Sequence, residues 1–394
     1  MSIDIDIGLP SGDADLPRFA DIAARSLAFP AERAFTWFER AGARNIRIAR
    51  RGADVIGGHI VIPMGHWVGG RAVPCVGISG VVVSPEHRSR GVCGEMMRVA
   101  LEEIRREGVP LSSLYPATFP VYRAAGYEAA GTRLLYRVVL ASIGPASREL
   151  EVREVASSEY AAIRALYDAN ARTLTGAVAR TPYFWTRIHE PFGEDARAFL
   201  VEGDGGPEGY AVLSYRPAPS PLAPSEMPVR DVVARTPRAA GRILRLLADH
   251  RSVARTAAVP GGPGDALLAH LVEPRLEVAE MQQWMLRVVD VRGALEGRGW
   301  PTTVRGELHV DVRDALLREN ARRWVIEVAG GRAEVREGGS GAVALDVRGL
   351  AALYTGYLSG PGVRVAGLGD GSDEELTKAT ALFAGPAPWA ADFF

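Results

Sequence analysis

The residues best placed for chemistry in this sequence lie in a short loop between an apolar run and an amphipathic segment. The apolar run extends from Cys75 to Val83, and a Ser-Pro turn leads into the loop Arg88-Ser-Arg-Gly-Val-Cys-Gly94. The glycines let the backbone approach a ligand closely, and the arginines add positive charge. Unpaired N–H groups at a helix start also favour anions. The loop predicts a phosphate or pyrophosphate site, although a solvated loop in an arginine-rich protein would have the same motif.

A tyrosine and glycine cluster follows about thirty residues beyond this loop. It reads Val121-Tyr-Arg-Ala-Ala-Gly-Tyr127. A phenol with a pKa of about 10 can donate a proton or hydrogen bond to a departing thiolate, whose thiol has a pKa of about 8.5. A strand, an anion loop and a proton donor in this order indicate acyl transfer from a phosphorylated thioester.

The elements that must position these groups can be predicted from periodicity. Apolar residues from Val92 to Ile104 recur every four positions, which predicts a helix that ends at Gly108. The other elements expected in this part of the chain are helices at Leu16–Leu27 and Arg33–Arg40, two strands within Ile46–Ile62 around Gly57-Gly58, a short strand Leu111–Leu114, a short helix holding Tyr122, and a last strand Leu134–Leu140. These elements predict a mixed sheet with the ligand where neighbouring strands part.

The rest of the chain contains a partial repeat of this pattern, followed by a segment with a different pattern of elements. Ile143–Ser147 has the composition of a linker, and Tyr160–Leu174 begins a new helical segment. A strand, a proline turn, Arg-x-x-Gly and a helix recur from Val232 to His250 without a tyrosine cluster, which favours duplication with loss of the site over a chance match. The last hundred residues predict an α+β module of short strands (307–313, 324–328, 332–336 and 343–347), a hairpin at 330–331 and two helices (350–358 and 373–383).

Composition restricts the class of protein. The 394 residues carry a net charge of −1 without a single-sign block, so a nucleic-acid partner is not expected. Cys75 and Cys93 are the only cysteines, which excludes a disulfide framework and argues against a metal site. The chain lacks an apolar run of membrane-spanning length and a signal-peptide pattern, so we predict a cytoplasmic protein with no membrane span.

The loop, the tyrosine segment and the terminal Asp392-Phe-Phe394 together resemble the Eis (enhanced intracellular survival) family of GNAT-superfamily N-acetyltransferases. Cys93 stands where the superfamily prefers glycine or alanine. The resemblance covers the whole chain and implies tandem GNAT domains of α/β type, each a mixed sheet flanked by helices, followed by an α+β domain like sterol carrier proteins. The implied bounds are 1–145 for the catalytic GNAT domain, 146–292 for a degenerate second one and 293–394 for the sterol-carrier-like domain, which carries the catalytic C-terminus.

The resemblance also implies acetyl-CoA as the acyl donor and assigns residues to it. The implied set is Val81, Val82 and Val83 for pantetheine; Arg88, Ser89, Arg90, Gly91, Val92, Cys93 and Gly94 for pyrophosphate; and Ala117 and Thr118 where the family often has a serine. Ala117 lacks the hydroxyl that such a serine would supply.

Two catalytic roles follow from the resemblance. Tyr122 is the implied general acid, with Tyr127 as its rival and as a candidate core aromatic. Phe394 ends an aromatic tail that is costly to leave in water. An ordinary α-carboxyl has a pKa of about 3.5, which burial would raise. The sequence alone favours a merely packed terminus, whereas the resemblance implies that the Phe394 carboxylate is the base that accepts the amine proton.

The acceptor is the least determined part of the prediction. The resemblance implies a small cationic amine, aminoglycoside-like, a polyamine or a lysine side chain. Glu32, Trp37 and Glu39 could line its site, although a solvated helix face also explains the two glutamates. Two alternatives stay open: a tailoring acyltransferase of a biosynthetic pathway, and a lipid-binding protein with vestigial GNAT domains. Similar proteins are usually hexamers, so we expect a homo-oligomer.

Overall fold

The computed structural model describes residues 4–144, 147–215 and 225–394. Its helices are α1 (Asp15–Leu27), α2 (Ala31–Ala41), α3 (Val92–Arg106), α4 (Phe119–Ala124), α5 (Tyr160–Ala171), α6 (Pro182–His189), α7 (Pro237–Asp249), α8 (Val291–Gly297), α9 (Val347–Tyr354), α10 (Gly360–Val365) and α11 (Asp373–Leu382). Its strands are β1 (Asp6–Gly8), β2 (Ile46–Arg51), β3 (Asp54–Val68), β4 (Arg71–Val83), β5 (Leu111–Leu114), β6 (Glu128–Val139), β7 (Glu151–Val155), β8 (Val178–Ala179), β9 (Asp195–Gly203), β10 (Gly206–Tyr215), β11 (Glu226–Ala234), β12 (Thr256–Gly261), β13 (Leu276–Val288), β14 (Gly306–Arg313), β15 (Arg323–Ala329), β16 (Arg332–Glu337), β17 (Val343–Asp346) and β18 (Gly369–Gly371). Within these ranges, no helix has both the length and the apolarity that a membrane crossing requires.

The chain forms two compact units. Unit 1 contains the residues up to Gly131, residues 283–386 and Phe394. Unit 2 contains residues 132–282 and 387–393. The mixed sheets flanked by helices confirm the predicted α/β and α+β fold class.

The first sheet of unit 1 has the order β1-β2-β3-β4-β5-β13, in which only β4 and β5 are parallel. Helix α3 connects these two parallel strands and buries its apolar stripe, including Met96, Met97 and Leu101, against the sheet. Helices α1 and α2 pair through the stacked rings of Phe19 and Phe38, whose centroids are 4.8 Å apart. The predicted anion loop, which precedes α3, is therefore attached to a sheet that helices pack against.

The second sheet of unit 1 belongs to the predicted α+β module and has the order β16-β15-β14-β17-β18. Gly330 and Gly331 make its predicted hairpin turn, both with positive φ. Buried Arg287 of β13 pairs with Asp314 beside this sheet at 2.7 Å and donates to the Ala125 carbonyl oxygen at 2.9 Å. This network ties the module to the first sheet of the same unit.

Unit 2 repeats the strand pattern of the first sheet. Its order is β7-β9-β10-β11-β12-β6, and again only one pair, β11 and β12, is parallel and connected by a helix, α7. The same sequence of antiparallel and parallel neighbours in both sheets supports the interpretation of the second segment as a duplicate.

Two predictions about the first sheet were wrong. The predicted strand Leu134–Leu140 forms as the end of β6, over Leu134–Val139, but it does not end the sheet of unit 1. These residues pair with β12 in unit 2, while residues of β13 pair with β5. Gly57 and Gly58 are not a turn but lie inside β3. A β-carbon at position 57 would lie 2.4 Å from the Val82 carbonyl oxygen, and one at position 58 would lie 2.8 Å from the Phe19 ring. Close packing within the strand requires glycine at positions 57 and 58. The turn lies instead at Gly52, where φ is positive. Helices α6, α8 and α10 were not predicted, and two residues of the proposed linker, Pro145 and Ala146, lie outside the described ranges.

Candidate active site

Two parallel strands of unit 1 separate and open a fork. β4 pairs with β5 from Cys75 to Gly77, and the next residue of β5, Leu114, pairs only with Met285 on its other side. β4 continues to Val83, so the edge of residues 78–83 that faces away from β3 has no strand partner in the described chain. Backbone donors and acceptors at such an edge suit a ligand that hydrogen-bonds like a strand.

A β-bulge bends β4 inside the fork. The pairing of β3 with β4 shifts between Gly58 and Ile60, and Gly80 has a φ of +59°. Trp37 of α2 covers this bulge so closely that a β-carbon at position 80 would lie 2.6 Å from its ring. Both the φ angle and the indole therefore require glycine at position 80, and an aromatic ring lies at the fork.

The three valines predicted to hold pantetheine follow the bulge on this open edge. Val82 and Val83 are buried, and Val81 is half-buried. Val81 and Val83 pack into the core beneath α3, so their side chains fix the strand and leave only backbone groups for a ligand. Of these, the Val83 carbonyl oxygen already accepts from the Arg88 guanidinium.

The predicted anion loop has its amide hydrogens free. Among the described residues, the backbone N–H groups of the six residues 89–94 have no protein acceptor, and the first main-chain donor of the helix is Glu95, which bonds to Gly91 at 3.1 Å. Ser89 and Gly91 have positive φ angles of +58° and +81°. A non-glycine residue held in this conformation costs about 1–3 kcal/mol and indicates a functional constraint.

Glycine at position 94 is not required by packing. A β-carbon there would meet no atom of the described residues within 4 Å. The absence of a side chain leaves space in front of the free amides, at the positive end of the α3 dipole.

The two loop arginines behave differently. The Arg88 guanidinium donates to the Val83 carbonyl oxygen at 2.9 Å and to the Ser26 hydroxyl at 3.1 Å, so it closes the loop onto β4 and α1. Arg90 is exposed. Of the two, Arg90 is the side chain that can turn toward an anion.

Tyr122 and Cys93 lie beside each other at the start of α3. Tyr122 is buried, with 6% of its surface exposed, and its hydroxyl has no hydrogen-bond partner in the part of the chain that the structure describes. Burial, and secondarily the neighbouring Cys93, raises the pKa of Tyr122 above its ordinary value. Burial also raises the pKa of Cys93 to about 11. Both groups are therefore protonated near neutral pH, and Tyr122 is an available donor.

Tyr127 has a different environment. It is fully buried, and its hydroxyl lies 2.8 Å from the Ser112 hydroxyl, which donates to the Val76 carbonyl oxygen at 2.9 Å. Because the Ser112 proton is directed at Val76, the Tyr127 proton is directed at Ser112. Its ring meets that of Tyr122 edge to face at 6.3 Å. Tyr127 thus has the contacts of a core residue.

Ala117 and Thr118 lie on the other side of the fork, between β5 and α4, and both are exposed. Thr118 precedes the first residue of α4 without a side-chain capping bond. Their backbone and the Thr118 hydroxyl are open to a ligand.

The terminal residue packs at the base of the fork. The Phe394 ring is 4% exposed and meets the Tyr115 ring edge to face at 5.4 Å. It lies on Gly77, the last residue of β4 that pairs with β5, and near the Met64 sulfur. Gly77 and Ser112 were not predicted from the sequence, although the repeated glycine in Gly77-Ile-Ser-Gly80 inside an apolar strand is a signal of close backbone approach.

Comparisons with known proteins agree with this architecture. Residues 10–130 match an acetyltransferase (GNAT) domain, residues 176–288 match a second acetyltransferase (GNAT) domain, and residues 291–391 match a sterol carrier protein domain. A relative from Streptomyces avermitilis, described as an uncharacterized N-acetyltransferase, is 31% identical over 342 residues, which cover 82% of each chain. N-acetyltransferase Eis from Mycobacterium tuberculosis is 27% identical over 322 residues, 77% of each chain. The crystal structure of a GCN5-related N-acetyltransferase from Anabaena variabilis has a TM-score of 0.94 at 31% identity, covering 99% of this chain and 100% of that one.

Two GNAT domains followed by a sterol-carrier-like domain define the chain as an acetyltransferase of the GNAT superfamily. Within that superfamily it belongs to the Eis family of N-acetyltransferases. GNAT acetyltransferases use acetyl-CoA.

Proposed function

We propose that this enzyme transfers the acetyl group of acetyl-CoA to a primary amine of a small cationic acceptor at the fork between β4 and β5. The observation that carries the proposal is the row of free amide hydrogens at residues 89–94, at the end of a strand edge with no partner. Amides at a helix start suit the pyrophosphate, and the open edge at Val81 and Val83 suits pantetheine.

Tyr122 is the proposed general acid. The amine nitrogen attacks the thioester carbonyl carbon, the carbon–sulfur bond breaks, and the departing thiolate takes the phenolic proton. Burial keeps this phenol protonated near neutral pH, and its hydroxyl has no competing protein acceptor among the described residues. Tyr127 is a weaker candidate because its proton is directed at Ser112.

The Phe394 carboxylate is the proposed base. An amine attacks only when neutral, so the proton of the ammonium group must move to an acceptor. The burial of the Phe394 ring against Gly77 and Tyr115 supports this assignment, because it holds the terminal carboxylate near the base of the fork.

Trp37 is the proposed contact for the acceptor. Its indole lies over the bulge at Gly80, and an aromatic face attracts an ammonium group. Glu32 and Glu39 are exposed and lie seven residues apart on one helix face, while Trp37 lies on another. We assign these glutamates to the solvated surface.

The second GNAT domain, proposed to span residues 146–292, would not bind the donor. At the start of α7 the Thr236 hydroxyl accepts from the Ala239 N–H at 3.1 Å, and Arg238 pairs with Glu208 at 3.0 Å. The protein's own hydroxyl and carboxylate therefore satisfy the groups that bind an anion at a free helix start. The first domain would span residues 1–145, and the sterol-carrier-like domain 293–394.

Release of free thiol from acetyl-CoA across a panel of polyamines, aminoglycosides and lysine peptides tests the proposal. We compare the full chain, a chain without Phe394, and Phe394→Leu, which keeps a terminal carboxylate on an apolar residue. We expect turnover with cationic amines, a large loss on deletion and substantial activity in the leucine variant. Full turnover without Phe394 would contradict the assignment of the terminal carboxylate as the base. A lack of thiol release with every amine would contradict the proposed function.

The predicted hexamer and cytoplasmic location belong to the same proposal. Light scattering coupled to gel filtration measures the first, and fractionation of the source cells measures the second. A monomer in solution would contradict the predicted oligomer.

A further inference from the structure

A buried charge cluster in unit 2 holds the chain segment that precedes the terminal residue. The side chain of Arg180 is 1% exposed and contacts two carboxylates, those of Asp231 and Asp392. Its Nε donates to both oxygens of Asp392 at 3.0 and 3.1 Å, and its Nη2 donates to Asp231 at 3.1 Å. The guanidinium lies 3.6 Å from the centroid of the Tyr167 ring, and the Tyr210 hydroxyl donates to Asp231 at 2.6 Å.

The cluster is not balanced in charge. One guanidinium faces two carboxylates, so a full ionisation of the three groups leaves a buried negative charge. Burial raises the pKa of Asp392 above its ordinary value. Buried ion pairs contribute little net stability because desolvation offsets their attraction. Stability of unit 2 is therefore a poor reason for the presence of Asp392.

Geometry supplies a better reason. Four hydrogen bonds hold the backbone before Asp392. Thr132 donates to the Pro388 carbonyl oxygen at 3.1 Å, Ala390 to Thr132 at 3.0 Å, Trp389 to Thr175 at 2.9 Å, and the Arg133 Nε to the Ala391 carbonyl oxygen at 3.1 Å. The Trp389 indole lies where a β-carbon at Gly262 would be 2.5 Å away. Asp392 is a fixed point two residues before Phe394. Because consecutive α-carbons are about 3.8 Å apart, those of Asp392 and Phe394 are within about 7.6 Å of each other.

We propose that Arg180 is a positioning residue that anchors the C-terminal tail through Asp392 and thereby restricts where the Phe394 carboxylate can lie. The catalytic consequence rests on the proposed function of Phe394 as the base. The two Nη groups of Arg180 hold Asp231 bidentately, which fixes the plane of the guanidinium, and its Nε–H is then directed between the two oxygens of Asp392. An ammonium group would not be fixed in direction in this way.

Asp392→Ala and Asp392→Asn test the anchor. Both leave the Arg180 and Asp231 pair intact and balanced in charge, so unit 2 should remain folded. Carboxypeptidase A removes exposed C-terminal aromatic residues, and release of Phe394 is followed by mass spectrometry. We expect release at least about tenfold faster from Asp392→Ala than from the unchanged chain, and an intermediate rate from Asp392→Asn. Phe393→Leu, a neighbouring change that leaves the anchor in place, should release Phe394 at the original rate.

The kinetic arm measures free-thiol release by the same variants. A terminus displaced by about 1 Å should lower kcat about tenfold to a hundredfold, while the KM for acetyl-CoA stays within about twofold because residues 88–94 are unchanged. Melting curves establish that the variants are folded.

The possible outcomes test the anchor, the positioning role and the proposed base separately. Unchanged Phe394 release in Asp392→Ala would overturn the anchor. Faster release with unchanged kcat, in an enzyme that deletion of Phe394 inactivates, would overturn the positioning role. If deletion of Phe394 leaves kcat intact, the proposed base fails, and the release assay still decides whether Arg180 and Asp392 hold the tail.

Discussion

The ring of the last residue, Phe394, lies on the bare backbone of Gly77. A β-carbon at position 77 would be 2.9 Å from both Cδ2 and Cε2 of that ring and 3.0 Å from the Met64 sulfur. Gly77 is also the last residue at which β4 pairs with β5. The point where the sheet opens and the point where the chain ends are thus packed against each other within unit 1.

Substitution of Gly77 by alanine should displace the Phe394 ring. Overpacking of this kind typically costs about 1–3 kcal/mol, and here the terminal ring can leave its place more easily than the strand can move. We expect a fall in kcat comparable to that of the chain without Phe394, with a small change in the melting temperature. Gly77→Ala combined with deletion of Phe394 should be no slower than the deletion alone. A further loss in the combined variant would show that Gly77 acts independently of the terminal ring.

The two tyrosines of the motif should separate activity from stability. Tyr122→Phe removes a hydroxyl that has no protein partner among the described residues, so its folding free energy should change little while turnover falls about a hundredfold. Tyr127→Phe leaves Ser112 without its donor and should cost about 1 kcal/mol of stability with most turnover retained. Steady-state kinetics and thermal melts measure both. The reverse pattern would exchange the roles of the two residues.

Gly94→Ala separates ligand space from packing. No described atom lies within 4 Å of the added β-carbon, and alanine favours a helix over glycine by about 1 kcal/mol. We expect a slightly higher melting temperature together with a KM for acetyl-CoA raised about tenfold or more, because the methyl group enters the space before the free amides. Gly108→Ala, at the end of the same helix where φ is +72°, should instead lower stability and leave KM unchanged. An unaltered KM in Gly94→Ala would place the pyrophosphate elsewhere.

The alkylation rate of the Cys93 thiol should depend on whether a ligand occupies the loop of residues 88–94. Burial raises its pKa to about 11 from 9.0, so about one molecule in 3,000 carries the thiolate at pH 7.5. Since the thiolate is the reactive form, alkylation by iodoacetamide should be slow at pH 7.5 and rise about tenfold per pH unit until the pH approaches 11. Coenzyme A should slow it further. Fast alkylation at neutral pH, mapped to Cys93 rather than buried Cys75 by peptide mass spectrometry, would contradict this environment.

The sequence by itself determined the local elements of the first sheet. Four-residue apolar spacing fixed α3, the glycines marked a loop that a backbone-bound anion can approach, and the short strand Leu111–Leu114 was predicted with its actual bounds. Such features depend on residues close together in the chain, and periodicity and turn chemistry report them directly.

Contacts between distant residues were decided only by the tertiary structure. Leu134–Val139 pairs with β12, and β13 pairs with β5. These pairings depend on which sheet edges meet, and the residue pattern of a strand does not indicate which strand it will pair with. Likewise, Tyr122 and Tyr127 are equivalent by residue type, and only the position of Ser112 separates them. The contacts of Arg180 could not be predicted for the same reason, because its two carboxylate partners lie 51 and 212 residues away along the chain. A buried charge is stabilised by whatever group folding places beside it, and local sequence does not carry that information.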